Sequence, residues 1–290
     1  MSAIEQEVAS QPAVWREAAG LGAVGGLPPH GARVGAVGCG TSLFVAAAYA
    51  AAREAAGLGE TDAFPASEFP AGRAYDSLLA ISRSGTTTEV LDAVAVIGEA
   101  TPTVALTAVP ESPLAHAAGR TVCLPFADER SVVQTRFATA ALVILLTHMG
   151  VDTAPAAAAA EDVLTRPLPV DAGSFDRFHF LGRGWTVGLA CEAALKLREA
   201  ALAWSEAYPA MEYRHGPIAL ADARTLVVPI GELDPALAAD VRATGATLLE
   251  PETEPLASVV LAHRLAISLA HLRGLDPDNP RNLTRSVVLQ

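Results

Sequence analysis

Two stretches of this chain spell the same turn. VGAVGCGTS at Val34–Ser42 and FHFLGRGWT at Phe178–Thr186 each run as a short apolar strand into G-x-G and then open a helical pattern. The glycines coincide at one constant offset, Gly38 with Gly182 and Gly40 with Gly184. A strand that ends in closely spaced glycines and leads straight into a helix is a β/α unit with a tight connection. Its recurrence predicts two similar α/β subdomains. A G-x-G without a third glycine, and without an acidic residue ending the next strand, is a poor dinucleotide fingerprint, so the repeat speaks for architecture and not for a nicotinamide or flavin site.

The rest of the pattern fits. After an N-terminal helix over about residues 3–19 and a Gly/Pro-rich stretch, apolar strands are expected at Val34–Val37, Leu78–Ser82, Val104–Thr107 and Thr121–Pro125, with a short one near Ala63–Ser67. Helices are expected at Ser42–Ala56, Thr87–Ala100 and Val132–Met149. Gly150–Ala160 reads as a linker. The second half has strands at Phe178–Leu181, Leu226–Pro229 and, more weakly, Thr247–Leu249, and helices at Val187–Trp204, Pro235–Ala243 and Leu256–Leu272. Short strands alternating with helices imply parallel sheets covered on both faces. The expected division is 1–150, carrying the N-terminal helix, and 151–290, carrying the C-terminal tail.

Charge and cysteine usage narrow the function classes. A net charge of −12 disfavours nucleic acid or an anionic membrane as partner. Cys39, Cys123 and Cys191 are scattered in apolar runs with no metal or disulfide spacing, as in a reduced cytoplasmic protein. The N-terminus has neither a basic nor an apolar signal region, and the longest apolar run, Phe137–Leu146, is too short to span a bilayer.

Lys196 is the only lysine among 290 residues; every other basic position in the Lys+Arg total of 20 is arginine. An ammonium is a compact point charge where a guanidinium is a broad fork, so a single retained lysine points to a tight pocket. Glu192, Lys196 and Glu199 fall on one helical face, opposite the apolar stripe Ala190, Ala194, Leu197 and Ala201. Such a row is usually a solvated face. Here the flanking residues from Trp185 to Trp204 are almost all small or apolar, so the helix is expected to be buried, and its charges must face one another or a ligand.

The second candidate site is ISRSGTTTE at Ile81–Glu89, between a strand and a helix. Ser82, Ser84, Thr86, Thr87 and Thr88 all carry hydroxyls. A helix cap needs one hydroxyl; a phosphate at a helix N-terminus uses several, together with free backbone N–H groups. The matching strand end in the second half, VVPIGELDPA, has no hydroxyl and places Glu232 and Asp234 there. Only the first half is therefore equipped to hold phosphate.

The chain resembles the sugar isomerase (SIS) family in its double-SIS form, as in the isomerase half of the glutamine–fructose-6-phosphate aminotransferases and in related sugar-phosphate deaminases and deglycases. The resembling segments are CGTS (Cys39–Ser42), SRSGTTTE (Ser82–Glu89), ERSVVQTR (Glu129–Arg136), GRG with EAALKLREA (Gly182–Ala200), EAYPAMEYRHGP (Glu206–Pro217) and DPDNPRNLTRSVVLQ (Asp276–Gln290). The resemblance implies two flavodoxin-like SIS subdomains, no metal and no nucleotide cofactor. Ser42, Ser82, Ser84 and Thr87 would hold the sugar phosphate, with Arg83 where the synthases have glutamine. Glu199 would move a proton between C1 and C2. His215 would open the sugar ring, reaching into a neighbouring subunit's site and so requiring a homodimer. Lys196 would stabilise negative oxygen, and Glu192 would orient the sugar or the lysine. Arg285 stands where the synthases carry lysine; it cannot form a Schiff base but can close the pocket. With no glutaminase domain expected, ammonia would not come from glutamine. The implied activity is isomerisation of an amino sugar phosphate or ketosamine phosphate with loss of amine; the alternative is a non-catalytic phosphosugar sensor.

Overall fold

The computed structural model describes residues 1–21 and 25–289; part of the Gly/Pro-rich stretch after the first helix lies outside them. Nine strands alternate with helices among the described residues. The first half runs α1 (Ala3–Gly20), β1 (Val34–Gly38), α2 (Thr41–Ala55), β2 (Thr61–Pro65), β3 (Ser77–Ile81), α3 (Thr88–Ile97), β4 (Thr103–Thr107), α4 (Pro113–Ala117), β5 (Arg120–Cys123) and α5 (Arg136–His148). The second half runs α6 (Ala154–Thr165), β6 (Arg177–Gly182), α7 (Thr186–Ala201), β7 (Trp204–Pro209), β8 (Thr225–Ile230), α8 (Pro235–Ala243), β9 (Thr247–Leu248) and α9 (Pro255–Leu272).

Both sheets are wholly parallel. The first has the order β2-β1-β3-β4-β5 and the second β7-β6-β8-β9. Counted from its own first strand, each begins 2-1-3-4, the flavodoxin-like order, and each reverses direction between its first and third strands. This is the two-subdomain α/β architecture that the repeat implies. β1, β3 and β4 are buried at every position, as are β6 after Arg177 and all of β8, which is why they read as continuous apolar runs.

The repeated glycines have matched duties. A Cβ on Gly38 would lie 2.6 Å from the Ser42 carbonyl carbon, and one on Gly182 would lie 2.3 Å from the Thr186 carbonyl oxygen. At both sites the helix backbone packs against the strand end with no room for a side chain. Gly40 and Gly184 then take φ of 54° and 56°, a left-handed turn that any other residue adopts at a cost.

Compact units form around the two sheets. One comprises Ala13–Arg130, Gln134–Ala154 and Thr284–Gln290; the other comprises Met1–Pro12, Ser131–Val133 and Pro155–Leu283. A cut at residue 150 thus separates the strands of the two sheets but not the chain ends. In the second-sheet unit, the Asp278 carboxylate accepts from the Ala3 and Ile4 amides at 2.7 Å each and so anchors the start of α1. In the first-sheet unit, the tail donates from the Leu289 amide to the Thr88 hydroxyl at 2.9 Å.

Two expectations are corrected. The segment expected as a linker, Gly150–Ala160, is largely the start of α6, whose Ala156, Ala157, Ala160 and Val163 are buried. Its run of alanines is the strongest helix former available. The helix expected to reach Trp204 stops at Ala201, because Leu202 turns left-handed (φ 51°), and EAYP becomes strand β7. α5 is buried from Phe137 to Leu146. α9 is long and apolar enough to cross a membrane, with mean hydropathy 1.4, yet 72% of it is buried in the chain's own fold, as a core helix is.

One buried group in the second sheet makes stability depend on pH. His179 on β6 has no exposed surface, and its Nδ1 lies 2.7 Å from the Tyr213 hydroxyl. Its Nε2 is 3.4 Å from Glu206 on β7, close in distance but outside hydrogen-bond geometry. Burial pushes the His179 imidazole below its ordinary range, outweighing the opposite pull of Glu206. A histidine that is harder to protonate folded than unfolded leaves the unfolded chain holding the extra proton, so stability falls as pH drops through and below about 6.5, by at most ~1.4 kcal/mol per pH unit. Urea unfolding between pH 8 and 5 should show this slope in the native protein and a flatter one in His179→Phe; equal slopes would mean that another group sets the acid limit.

Candidate functional site

The hydroxyl loop sits at the carboxyl end of β3, beside the end of β1, where the first sheet reverses its order. That crevice is the usual ligand site of an open parallel sheet. Ser82 follows β3 directly, and its hydroxyl accepts from the Gly85 amide at 3.2 Å and lies 3.3 Å from the Thr87 hydroxyl. Ser84 accepts from the Thr86 amide at 3.2 Å and the Thr86 hydroxyl at 3.0 Å. The loop is therefore lined by small dipoles bonded to one another in two sets, Ser82 with Gly85 and Thr87, and Ser84 with Thr86. Ser82 and Ser84 are buried, and Thr87 half-buried.

Thr87, not Thr86, is the N-cap of α3, and its side chain makes no capping bond. Its hydroxyl turns to Ser82 and to Ser286 instead. α2, whose first turn contains the buried Ser42, likewise starts without a side-chain cap at Gly40. Neither helix end is wholly open: in α2 the Ser42 and Leu43 amides donate to the Cys39 and Gly40 carbonyls at 3.1 Å each, and in α3 the Thr88 amide donates to the Val287 carbonyl at 3.3 Å, so no side chain neutralises the positive end of either dipole. The corresponding helix of the second sheet is finished differently: the Asp234 carboxylate accepts from the Leu237 amide at 2.9 Å and caps α8. At this pair of corresponding helix starts, the first sheet has hydroxyls where the second has a carboxylate.

The tail lies over this loop. Ser286 accepts from the Thr86 hydroxyl at 2.9 Å and is 3.5 Å from that of Thr87. Arg83 does not point its charge into the hydroxyl loop. It is buried to 1% exposure, with Nη1 3.5 Å from Glu129 and Nη2 donating to the Arg285 carbonyl at 3.2 Å. Burial pulls the guanidinium below its ordinary range, and Glu129 pulls it back. Arg285 in turn donates to the Glu129 carbonyl and, at 2.5 Å, to the Asp128 carboxylate. Both arginines thus fasten the tail to the loop that holds Glu129. Glu129 itself accepts from the Thr135 amide at 2.6 Å, the Thr135 hydroxyl at 2.8 Å and the Arg136 amide at 2.8 Å. Glu129 and Ser286 were not singled out by the sequence, although both stand inside motifs that were.

In the second-sheet unit, α7 packs against α9 and the sheet, and Ala190, Ala193, Ala194, Leu197, Ala200 and Ala201 are all buried. The Glu/Lys/Glu row is not a solvated face: Lys196 is 1% exposed, Glu192 3% and Glu199 19%. Lys196 Nζ donates to Glu199 at 2.6 Å and stands 4.0 Å from Glu192. Of the three, Glu199 alone keeps an edge toward solvent. Behind Glu192 lies a residue that no local pattern marks. His263 on α9, fully buried, places Nε2 at 3.1 and 3.3 Å from the two Glu192 oxygens. Its Nδ1 is 3.1 Å from the amide nitrogen of Gln11 on α1. His215 follows the 3-10 turn Ala210–Arg214; it is exposed, and among the described residues its ring enters no hydrogen bond or ion pair. Ser42, Ser82, Arg83, Ser84, Thr87 and Arg285 gather in one unit, and Glu192, Lys196, Glu199 and His215 belong to the other.

No protein-family model matches the chain. Among curated proteins it is similar to the glutamine–fructose-6-phosphate aminotransferase of Sulfolobus acidocaldarius, 30% identical over 89% of this chain and 50% of that protein. A second relative, the enzyme of the same name from Sulfurisphaera tokodaii, is 29% identical over 74% of this chain and 43% of its own length. The chain spans about half the length of these relatives. Among solved structures, the glucosamine-6-phosphate deaminase of Thermotoga maritima superposes with a TM-score of 0.85 at 28% identity, covering 99% of this chain and all of that one. The tagatose-6-phosphate ketose/aldose isomerase of Escherichia coli superposes with a TM-score of 0.79 at 20% identity, over 100% of this chain and 96% of its own, a likeness of fold. With two like-ordered parallel sheets, a hydroxyl loop at one switch point and an acidic lysine helix in the other half, the chain has the double-SIS fold and is similar to the phosphosugar isomerases built on it.

Proposed function

We propose that the protein is a phosphosugar isomerase and deaminase of the cytoplasm, acting on an amino sugar phosphate or ketosamine phosphate by proton transfer between C1 and C2. The observation that carries this reading is the buried Lys196–Glu199 pair at 2.6 Å, in which the carboxylate keeps a solvent edge and the ammonium none. An ion pair held on a helix of alanines contributes little to stability once its desolvation is counted, so its retention argues for chemistry. The likeness over full length to a chain named glucosamine-6-phosphate deaminase favours an amine-releasing reaction over plain isomerisation.

In this reading the hydroxyls of Ser42, Ser82, Ser84 and Thr87, with the N-terminal amides of α2 and α3, take the phosphate. The ring is opened by His215, which serves the site of a neighbouring subunit in a homodimer. Glu199 removes the C2 proton of the open 2-amino aldose, and the electron pair moves into a C1–C2 enol whose oxygen faces the Lys196 ammonium. Returning the proton to C1 leaves an imine at C2. Water adds there, ammonia leaves, and a ketose phosphate remains. A ketosamine phosphate would instead lose a C1 proton to Glu199 and pass through the enol with nitrogen on C1 and oxygen on C2; returning the proton to C2 leaves an imine at C1, and water releases the amine and an aldose phosphate. Glu192 stands behind the lysine at 4.0 Å and adds negative charge to its pocket, and the two arginines hold the tail over the phosphate loop. No step calls on a metal or nucleotide cofactor.

Three results test the reading. Ser84→Ala removes a hydroxyl from the loop, and calorimetric affinity for a bound sugar phosphate should fall by roughly 1–3 kcal/mol with little change in stability; unchanged affinity would take Ser84 out of the site. Glu199→Gln keeps shape but accepts no proton, so exchange of substrate C–H hydrogen with deuterated water should fall by about 10²–10⁴-fold. Exchange at the native rate would return the α7 row to a structural role. For the shared site, inactive His215→Ala and inactive Glu199→Ala subunits should regain activity when mixed into verified hetero-dimers; no recovery would mean that each site is built from one chain.

A further inference from the structure

Lys196 has two carboxylates within reach, four residues before it and three after. Both are short of water. Glu192 is the more buried, at 3% against 19% exposure, so on Coulombic grounds alone it is the stronger partner, because attraction grows as water is excluded. The ammonium nevertheless sits at 2.6 Å from Glu199 and at 4.0 Å from Glu192. Something else must satisfy Glu192, and the structure supplies it. His263 faces both of its oxygens through one nitrogen, at 3.1 and 3.3 Å.

The direction of that bond is fixed from behind. The Gln11 amide nitrogen lies 3.1 Å from His263 Nδ1 and also donates to the Val8 carbonyl at 3.4 Å, one turn back in α1. An amide nitrogen only donates, so Nδ1 accepts and the imidazole proton is on Nε2, aimed at Glu192. All of these groups belong to the second-sheet unit. Gln11, His263 and Glu192 form one directed chain of donors and acceptors, which ends 4.0 Å from the Lys196 ammonium that donates to Glu199. Each donor in it points toward the helix.

We infer that His263 is a positioning residue: by engaging Glu192 it leaves Lys196 bound to Glu199, the carboxylate that meets substrate. The inference deepens the proposed function and rests on it for the identity of the reacting end. Without the Nε2 proton, Glu192 is a buried carboxylate lacking a donor, and the nearest replacement is the lysine. Lys196 then swings toward Glu192, away from Glu199 and from the sugar oxygen it is to stabilise. Phosphate binding, which belongs to the other unit, is untouched.

The single lysine makes the test direct. With lysine-selective ¹³Cε and ¹⁵Nζ labelling, the folded protein gives one side-chain lysine signal, that of Lys196. In His263→Leu this signal should move, and in His263→Gln, which restores a donor at the Nε2 position, it should return close to its native place. Gln11→Leu provides a second variant at a separate position and should shift the signal in the same sense as His263→Leu. On a substrate that the native enzyme turns over, kcat of His263→Leu should fall roughly 10- to 100-fold, the range for one lost hydrogen bond to a charged group, with KM nearly unchanged and most of kcat recovered in His263→Gln. A Lys196 signal unmoved in folded His263→Leu and Gln11→Leu overturns the positioning role whatever the activity. A moved signal with native kcat overturns its part in turnover. If no phosphosugar is turned over by the native protein, the proposed reaction falls, while the lysine signal still decides whether His263 sets the ion pair.

Discussion

The structure of the second half depends on one buried ammonium. α7 presents alanine and leucine on nearly every side, and through that apolar cylinder the chain threads two carboxylates and its only lysine. Removing charges from water is costly, and the cost is met only when every charge has a partner in good geometry. That requirement explains why α9, otherwise one of the most apolar helices, carries His263 in its buried face, and why the first helix contributes Gln11 to the same unit. An arginine in place of Lys196 would bring a wider head group into a space closed by α9.

The two halves show how one scaffold is turned to separate duties. The strand order is common to both, and so are the close glycine approach at Gly38 and Gly182 and the left-handed glycines that follow. Divergence lies in what finishes the helices at the switch points. In the first sheet α3 begins at a threonine whose hydroxyl is turned toward other hydroxyls. In the second sheet α8 begins at an aspartate that satisfies its own helix. A helix start already capped by a carboxylate repels an anion; one lined by hydroxyls attracts it. The proposed division of labour, phosphate on one half and acid–base groups on the other, rests on that local difference.

Much of this was legible in the sequence because it is written in local pattern. Strands buried on both faces appear as unbroken apolar runs, the glycine pairs mark the tight turns, and the hydroxyl loop stands out by number of hydroxyls. What was not legible depends on distant partners. Nothing around His263 in LAHRLAI marks it, since its partner Gln11 is 252 residues away and Glu192 is 71. Glu129 and Ser286 acquire meaning only when the tail folds back on the loop. Arg83, whose place in SRSG leaves its contact open, meets Glu129 and the Arg285 carbonyl, both distant in the chain. β7 was hidden because a left-handed leucine, which propensity does not foresee, ends α7 early.

The central claim is that a phosphorylated amino sugar or ketosamine is converted, not merely held. The most direct measurement is amine release, with ketose phosphate formed from glucosamine 6-phosphate and aldose phosphate from a panel of ketosamine phosphates, each run beside its unphosphorylated counterpart. The account predicts amine release from at least one phosphorylated member and far slower release from its unphosphorylated partner. Binding of these compounds with neither amine release nor aldose–ketose conversion would contradict it and leave the protein a sensor of phosphosugars.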